Sequence, residues 1–203
     1  MVTVLLDLGC GRRKHAGAIG VDRVSLETVD VVSDLLAVPY PFASACAEHV
    51  ILSHVLEHFS VNEIDSILSE VHRVLAPGGM VTVSVPHALS VAAWVDPTHR
   101  TGFTFETLFY FTREHAFSYY REIHPMWRVR RVWASVNLLN NHLAAASAQQ
   151  RWLEAFASRV MSYIVCHSRT MTVPDLLVKV LPFWLVSVHC CLEKATALDR
   201  GLP

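Results

Sequence analysis

The stretch Thr3-Val4-Leu5-Leu6-Asp7-Leu8-Gly9-Cys10-Gly11 limits what this chain can fold into more than any other. A short apolar run that ends in an acid and two closely spaced glycines reads as a buried parallel strand delivering a turn at its carboxyl end. Glycines there let backbone approach a ligand that a Cβ would block. Taken alone, the pattern also fits an ordinary tight strand–loop turn. Its context favours a cofactor turn. A second strand, Ala18-Ile19-Gly20-Val21-Asp22, ends in an acid, and a third, about 29–32, is followed by Asp34-Leu35. Three strands that each finish near a carboxylate suit a nucleoside with several hydroxyl and amino donors. A dinucleotide is disfavoured. The fingerprint G-x-G-x-x-G needs a third glycine where Lys14 stands, and residues 12–17 are too few for the helix that should follow.

Further motifs follow in order: Pro39-Tyr40-Pro41-Phe42, Ser53-His54-Val55-Leu56-Glu57-His58, and Leu75-Ala76-Pro77-Gly78-Gly79. With Asp7-Leu8-Gly9-Cys10-Gly11, Gly20-Val21-Asp22 and Asp34-Leu35, this ordered set resembles the class I S-adenosylmethionine-dependent methyltransferases of the type 11 branch, over about residues 3–86. Asp96-Pro97-Thr98-His99-Arg100 resembles a segment of a subset of that branch. The resemblance implies an α/β fold, Rossmann-like, with a mostly parallel seven-stranded sheet, one antiparallel strand near an edge, and the N-terminal helices truncated. It implies S-adenosyl-L-methionine as cofactor, held by Asp7, Gly9, Gly11, Asp22, Asp34, Leu35 and Ser53. Asp34 is similar to the family acid that accepts the adenine amino group, and Leu35 would pack on the adenine face. Arg12 or Arg13 is set against the methionine carboxylate, with a solvated basic loop as the alternative. A cofactor face left open by the short N-terminus makes a homodimer plausible.

Methyl transfer by this chemistry needs no metal, and none is expected. Where an oxygen or nitrogen acceptor needs deprotonation, His87, His54 and His99 are the candidate bases, in that order. His58 and Glu57 read as a pair that fixes the turn after strand four. Asp96 either orients His99 or locks its own loop. The main reading is a methyltransferase acting on a small-molecule O or N acceptor. The alternative is an inactive methyltransferase-fold binding module.

A helix is predicted over about 60–75. Ser60 and Glu63 form a capping box, and Ile64, Ile67, Leu68, Val71, Val74 and Leu75 make one apolar stripe. Strand five follows from Met80. The aromatic-rich segment 87–126 reads as a roof over the acceptor pocket, with Thr104 capping a helix that turns Leu108 and Phe111 inward. Strand six, about 127–136, loses its alternation at Arg130-Arg131, a sign of a bulge or an edge. An insertion at 138–181 carries Leu153, Phe156, Val160 and Ile164 on one helical face, and a last strand spans about 184–193. The whole of 1–203 is read as one domain with two lid insertions.

Composition excludes several classes. A net charge of −1 gives no basic excess for nucleic acid. Five cysteines without C-x-x-C spacing indicate neither a zinc site nor a disulfide framework. No signal-peptide pattern or membrane-length apolar run occurs, so a cytoplasmic location is expected. The late apolar insertion makes peripheral lipid contact possible.

Overall fold

The structure is a computed structural model that describes residues 4–112, 127–138, 148–167 and 184–195. Seven strands form one sheet: β1 Leu5–Leu8, β2 Ile19–Asp22, β3 Val31–Val32, β4 Ala47–Ser53, β5 Leu75–Pro86, β6 Trp127–Leu138 and β7 Trp184–Lys194. Their order is β3-β2-β1-β4-β5-β7-β6. The first five are parallel, and β7 runs antiparallel to both β5 and β6. The order reverses beside β1, so the carboxyl ends of β1 and β4 open the crevice where α/β sheets bind ligands.

Helix α1, Val61–Val74, starts at Ser60, whose capping box with Glu63 is formed, and its apolar stripe is buried against the sheet. It ends one residue before β5. Strand β5 begins at Leu75 rather than Met80, because Ala76 to Gly79 form a bulge against β4, with Gly78 at a φ of 75°. The expected helix after Thr104 is a short 3-10 turn, Thr107–Phe111, although Leu108 and Phe111 are buried as expected.

Strand β6 is both bulged and at the edge. Its register slips between Val129 and Arg131. An edge strand carries unpaired N–H and C=O groups. Helix α2, Ala148–His167, answers them with serines one turn apart. Ser162 Oγ accepts from Ala134 N at 3.1 Å and donates to Ala134 O at 2.9 Å, and Ser158 Oγ accepts from Val136 N at 2.8 Å. Met161 is buried on this side. Leu153, Phe156 and Val160, which share one helical face, point outward with Trp152 and Tyr163. Alternate residues of β7, Val186, Val188, Cys190 and Leu192, enter the core as expected.

Much of both expected lids, 113–126, 139–147 and 168–183, lies outside the described residues, as do Phe117, Tyr119 and Tyr120. No described helix is long and apolar enough to cross a membrane.

Candidate active site

No helix lies between β1 and β4, so side chains hold the turns that helices usually fix. At the end of β1, Gly9 has a φ of 73° and Gly11 one of 49°. A Cβ on Gly9 would stand 2.5 Å from Val55 Cγ2, so both the conformation and the space require glycine there. Asp7 is buried beneath the turn, where its Oδ2 accepts from His15 N at 2.7 Å and lies 2.9 Å from His15 Nδ1. Asp22 accepts from Gly11 N at 2.9 Å and from Val24 N at 3.0 Å. Asp30 accepts from Lys14 Nζ at 2.8 Å and from Gly20 N at 2.7 Å, and these bonds hold its carboxyl below the usual range. These three acids close a loop of six residues against the sheet.

A second brace positions Asp34 and Leu35. Tyr40 donates its hydroxyl to Leu35 O at 2.9 Å, and its backbone N–H donates to the buried Glu70 at 2.6 Å. Arg73 bonds both oxygens of Glu70 and reaches on to Phe42 O. The Arg73 guanidinium holds the Glu70 carboxyl below its ordinary range, while burial pushes the Tyr40 phenol up. Pro39-Tyr40-Pro41-Phe42 is therefore the clamp behind the cavity wall.

A cavity of about 550 Å³ opens above these turns. Gly9, Asp22, Asp34 and Leu35 line one end, and His54, His58, Thr98 and Arg100 line the other. Of the expected cofactor residues, Asp7, Gly11 and Ser53 do not line it; Asp7 and Gly11 build the turn, and Ser53 ends β4 in register with Ser84. Arg12 and Arg13 are exposed outside it, and Arg23 and Arg100 are the cations in its wall.

The candidate bases separate sharply. His87 is fully buried outside this cavity. Its ring packs on Phe105 at 4.9 Å, its Nδ1 accepts from Leu89 N at 3.1 Å, and its backbone bridges to Phe103. The end of β5 turns it into the core, and it does not line the cavity. His99 also lies outside the lining, with Nδ1 donating to Ala93 O at 2.9 Å. Asp96 accepts from Thr98 N and Thr98 Oγ1, so it locks its own loop, and these bonds keep its carboxyl low. His54 alone of the three lines the cavity. It adopts a φ of 56°, rare for a side-chain-bearing residue and concentrated at functional sites. Its N–H donates to Ser84 O at 2.8 Å, and its Nδ1 lies 3.3 Å from Glu57 Oε1.

The sequence reading missed Arg23, Arg100, Glu63 and the clamp of Glu70 and Arg73. The capping box marked Glu63 only as a helix signal, and its 2.8 Å pair with Arg100 joins residues 37 apart.

The cofactor end fits a nucleoside. It offers an apolar wall at Leu35, a floor at Gly9 that a Cβ would fill, and two carboxylates with lone pairs to spare for hydroxyl and amino donors. Comparison with known proteins agrees. Residues 6–83 match the family described as "Methyltransferase domain". No curated protein matches the chain in sequence. Among solved structures, a SAM-dependent methyltransferase from Archaeoglobus fulgidus is 17% identical with a TM-score of 0.57, over 95% of this chain and 86% of that one. The YcgJ protein from Bacillus subtilis is 16% identical with a TM-score of 0.53, over 96% and 93%. The 1,6-didemethyltoxoflavin-N1-methyltransferase of Burkholderia thailandensis, solved with 1,6-didemethyltoxoflavin and S-adenosylhomocysteine, is 14% identical with a TM-score of 0.53, over 95% and 71%. At these identities the structures show a shared fold. Residues 6–83 thus resemble a methyltransferase domain, and the chain shares the fold of S-adenosylmethionine-dependent methyltransferases.

Proposed function

We propose that this protein transfers a methyl group from S-adenosylmethionine to an oxygen or nitrogen of a small-molecule acceptor held at the His54 end of the cavity. The observation that carries this reading is the continuity of one cavity from Gly9, Asp22, Asp34 and Leu35 to His54. When bound, the cofactor supplies a methyl group on a sulfonium whose leaving thioether is neutral. The protein's own work is to orient, to exclude water and to manage a proton.

Asp22 and Asp34 would take the ribose and adenine donors, with Leu35 against the base. At the other end, His54 is the group placed to accept a proton from the acceptor. Glu57, buried 3.3 Å from His54 Nδ1, would stabilise the imidazolium that results. A near-neutral net charge supports a small acceptor over nucleic acid, as does the Burkholderia enzyme of similar fold, solved with 1,6-didemethyltoxoflavin bound. No disulfide joins Cys10, Cys46, Cys190 or Cys191, which supports a cytoplasmic setting.

The test is incubation with methyl-labelled cofactor and a panel of small phenols, hydroxy acids and nitrogen heterocycles. Label transfer to at least one class, weakened in His54→Ala, is expected. A folded protein that binds S-adenosylhomocysteine but labels none would support the inactive binding module instead.

A further inference from the structure

Beside the cavity, three side chains from two segments converge, among them the Glu57 that faces His54. Glu57 and His58 lie on the 3-10 turn Leu56–His58 after β4. His99 comes from the Asp96–Arg100 loop, which is pinned to that turn by Arg100 N and Thr101 N donating to Glu57 O at 2.7 and 3.2 Å. One ligand atom from each of Glu57, His58 and His99 lies within 4.8 Å of the others.

Both imidazoles are oriented as metal ligands usually are, with the far nitrogen tied down. His99 Nδ1 faces the carbonyl of Ala93 at 2.9 Å, and a carbonyl only accepts, so this nitrogen carries the proton. Thr98 Oγ1 gives its own proton to Asp96 at 2.7 Å, so it receives one from His58 Nδ1 at 2.9 Å. In each neutral ring the Nε2 lone pair remains for another partner. The rings meet edge to face with centroids 4.8 Å apart.

The independent observation is Glu57. It is 1% exposed, and neither carboxylate oxygen has a hydrogen-bond partner. The 3.3 Å approach of His54 Nδ1 lacks hydrogen-bond alignment. A buried carboxylate without partners is costly, and a cation between it and two imidazoles would remove that cost.

We propose that Glu57, His58 and His99 form a binding site for one divalent transition-metal ion, zinc being well suited to two imidazoles and a carboxylate. Ligand bonds of about 2.0–2.2 Å require the three groups to close by roughly an ångström, within reach of side-chain rotation. His58 also lines the cavity, so a metal ion held by these residues would border it and could take an oxygen donor bound there. Cysteine spacing gives no sign of the site, because its ligands are not cysteines and His99 lies far from the other two in sequence. It shares Glu57 with the proposed methyl-transfer arrangement, and its test reads metal uptake rather than turnover.

The test uses the full chain, stripped with chelator and titrated with zinc chloride by calorimetry and with cobalt(II) by visible absorption. One zinc per chain is expected, with a cobalt spectrum of the nitrogen and oxygen type and no thiolate charge-transfer band. Glu57→Gln and His99→Ala should each weaken zinc at least tenfold. Zinc should raise the melting temperature of the wild type and leave that of Glu57→Gln unchanged. Glu57→Gln keeps the side-chain volume, so it decides the matter if His99→Ala folds poorly. A folded wild type that takes up no zinc would overturn the proposal. So would a thiolate-dominated cobalt spectrum, or variants that titrate like the wild type.

Discussion

The two ends of the cavity are built differently. At the cofactor end every functional group sits on backbone fixed by local bonds. Asp22 grips Gly11, Asp30 grips Gly20, and Tyr40 grips Leu35. At the acceptor end, His54 stands in a left-handed conformation beside a buried carboxylate, and the wall is completed by a loop about forty residues on. The first arrangement presents one fixed surface to one fixed ligand. The second holds strain and a buried carboxylate without a hydrogen bond, the signature of groups kept for a ligand rather than for stability.

That contrast can be broken most severely at Gly9. Gly9→Ala puts a methyl group 2.5 Å from Val55 at a φ of 73°. A loss of roughly 3–4 kcal/mol in stability is expected, with S-adenosylhomocysteine binding abolished; denaturant unfolding and calorimetry read both.

The next effect is one of pH and lies on β7, outside the cavity lining. His189, on β7 beside Ser84, bonds Ser84 Oγ and Ser135 Oγ at 2.7 Å each and stacks on Trp133. Burial, with a smaller contribution from His54, pushes its pKa down to about 4. The unfolded chain takes up this proton near pH 6.5 and the folded chain only near 4, so stability falls as pH falls through that window. The loss is at most about 3 kcal/mol. His189→Gln should flatten the difference in unfolding free energy between pH 6.5 and 4; an unchanged slope would contradict it.

His54→Ala sharpens the comparison. It should lower kcat about 100-fold, roughly 2.7 kcal/mol, as loss of a general base does. Affinity for S-adenosylhomocysteine should change less than threefold, because His54 touches the other end. Equal losses in both would mean that the two ends are not separable. Tyr40→Phe is the mildest. Removing one hydrogen bond to Leu35 O should weaken S-adenosylhomocysteine about fivefold, near 1 kcal/mol, with the acceptor KM unchanged.

Legibility in the sequence follows the same division. The strands, the capping box of α1, the turn glycines and the acids Asp22 and Asp34 were readable because each rests on contacts between near neighbours. The bulge at Arg130-Arg131 showed as a broken alternation. The burial of His87 did not show, because it depends on Phe103, Phe105 and Val186 meeting at the end of β5. The apolar face of α2 showed, but not its surroundings, since periodicity marks a face without saying where it points. Glu57, His58 and His99 were each noticed, but nothing local in the sequence brings residue 99 to residue 58.

The most direct measurement is calorimetric titration with S-adenosylhomocysteine of the wild type beside Asp22→Ala. Asp22 joins the turn to the cavity, and losing its charged bonds should weaken binding about 100-fold. Micromolar binding by the wild type that all but disappears in a folded Asp22→Ala is the predicted result. A folded wild type that does not bind, or an Asp22→Ala variant that binds equally well, would contradict the account.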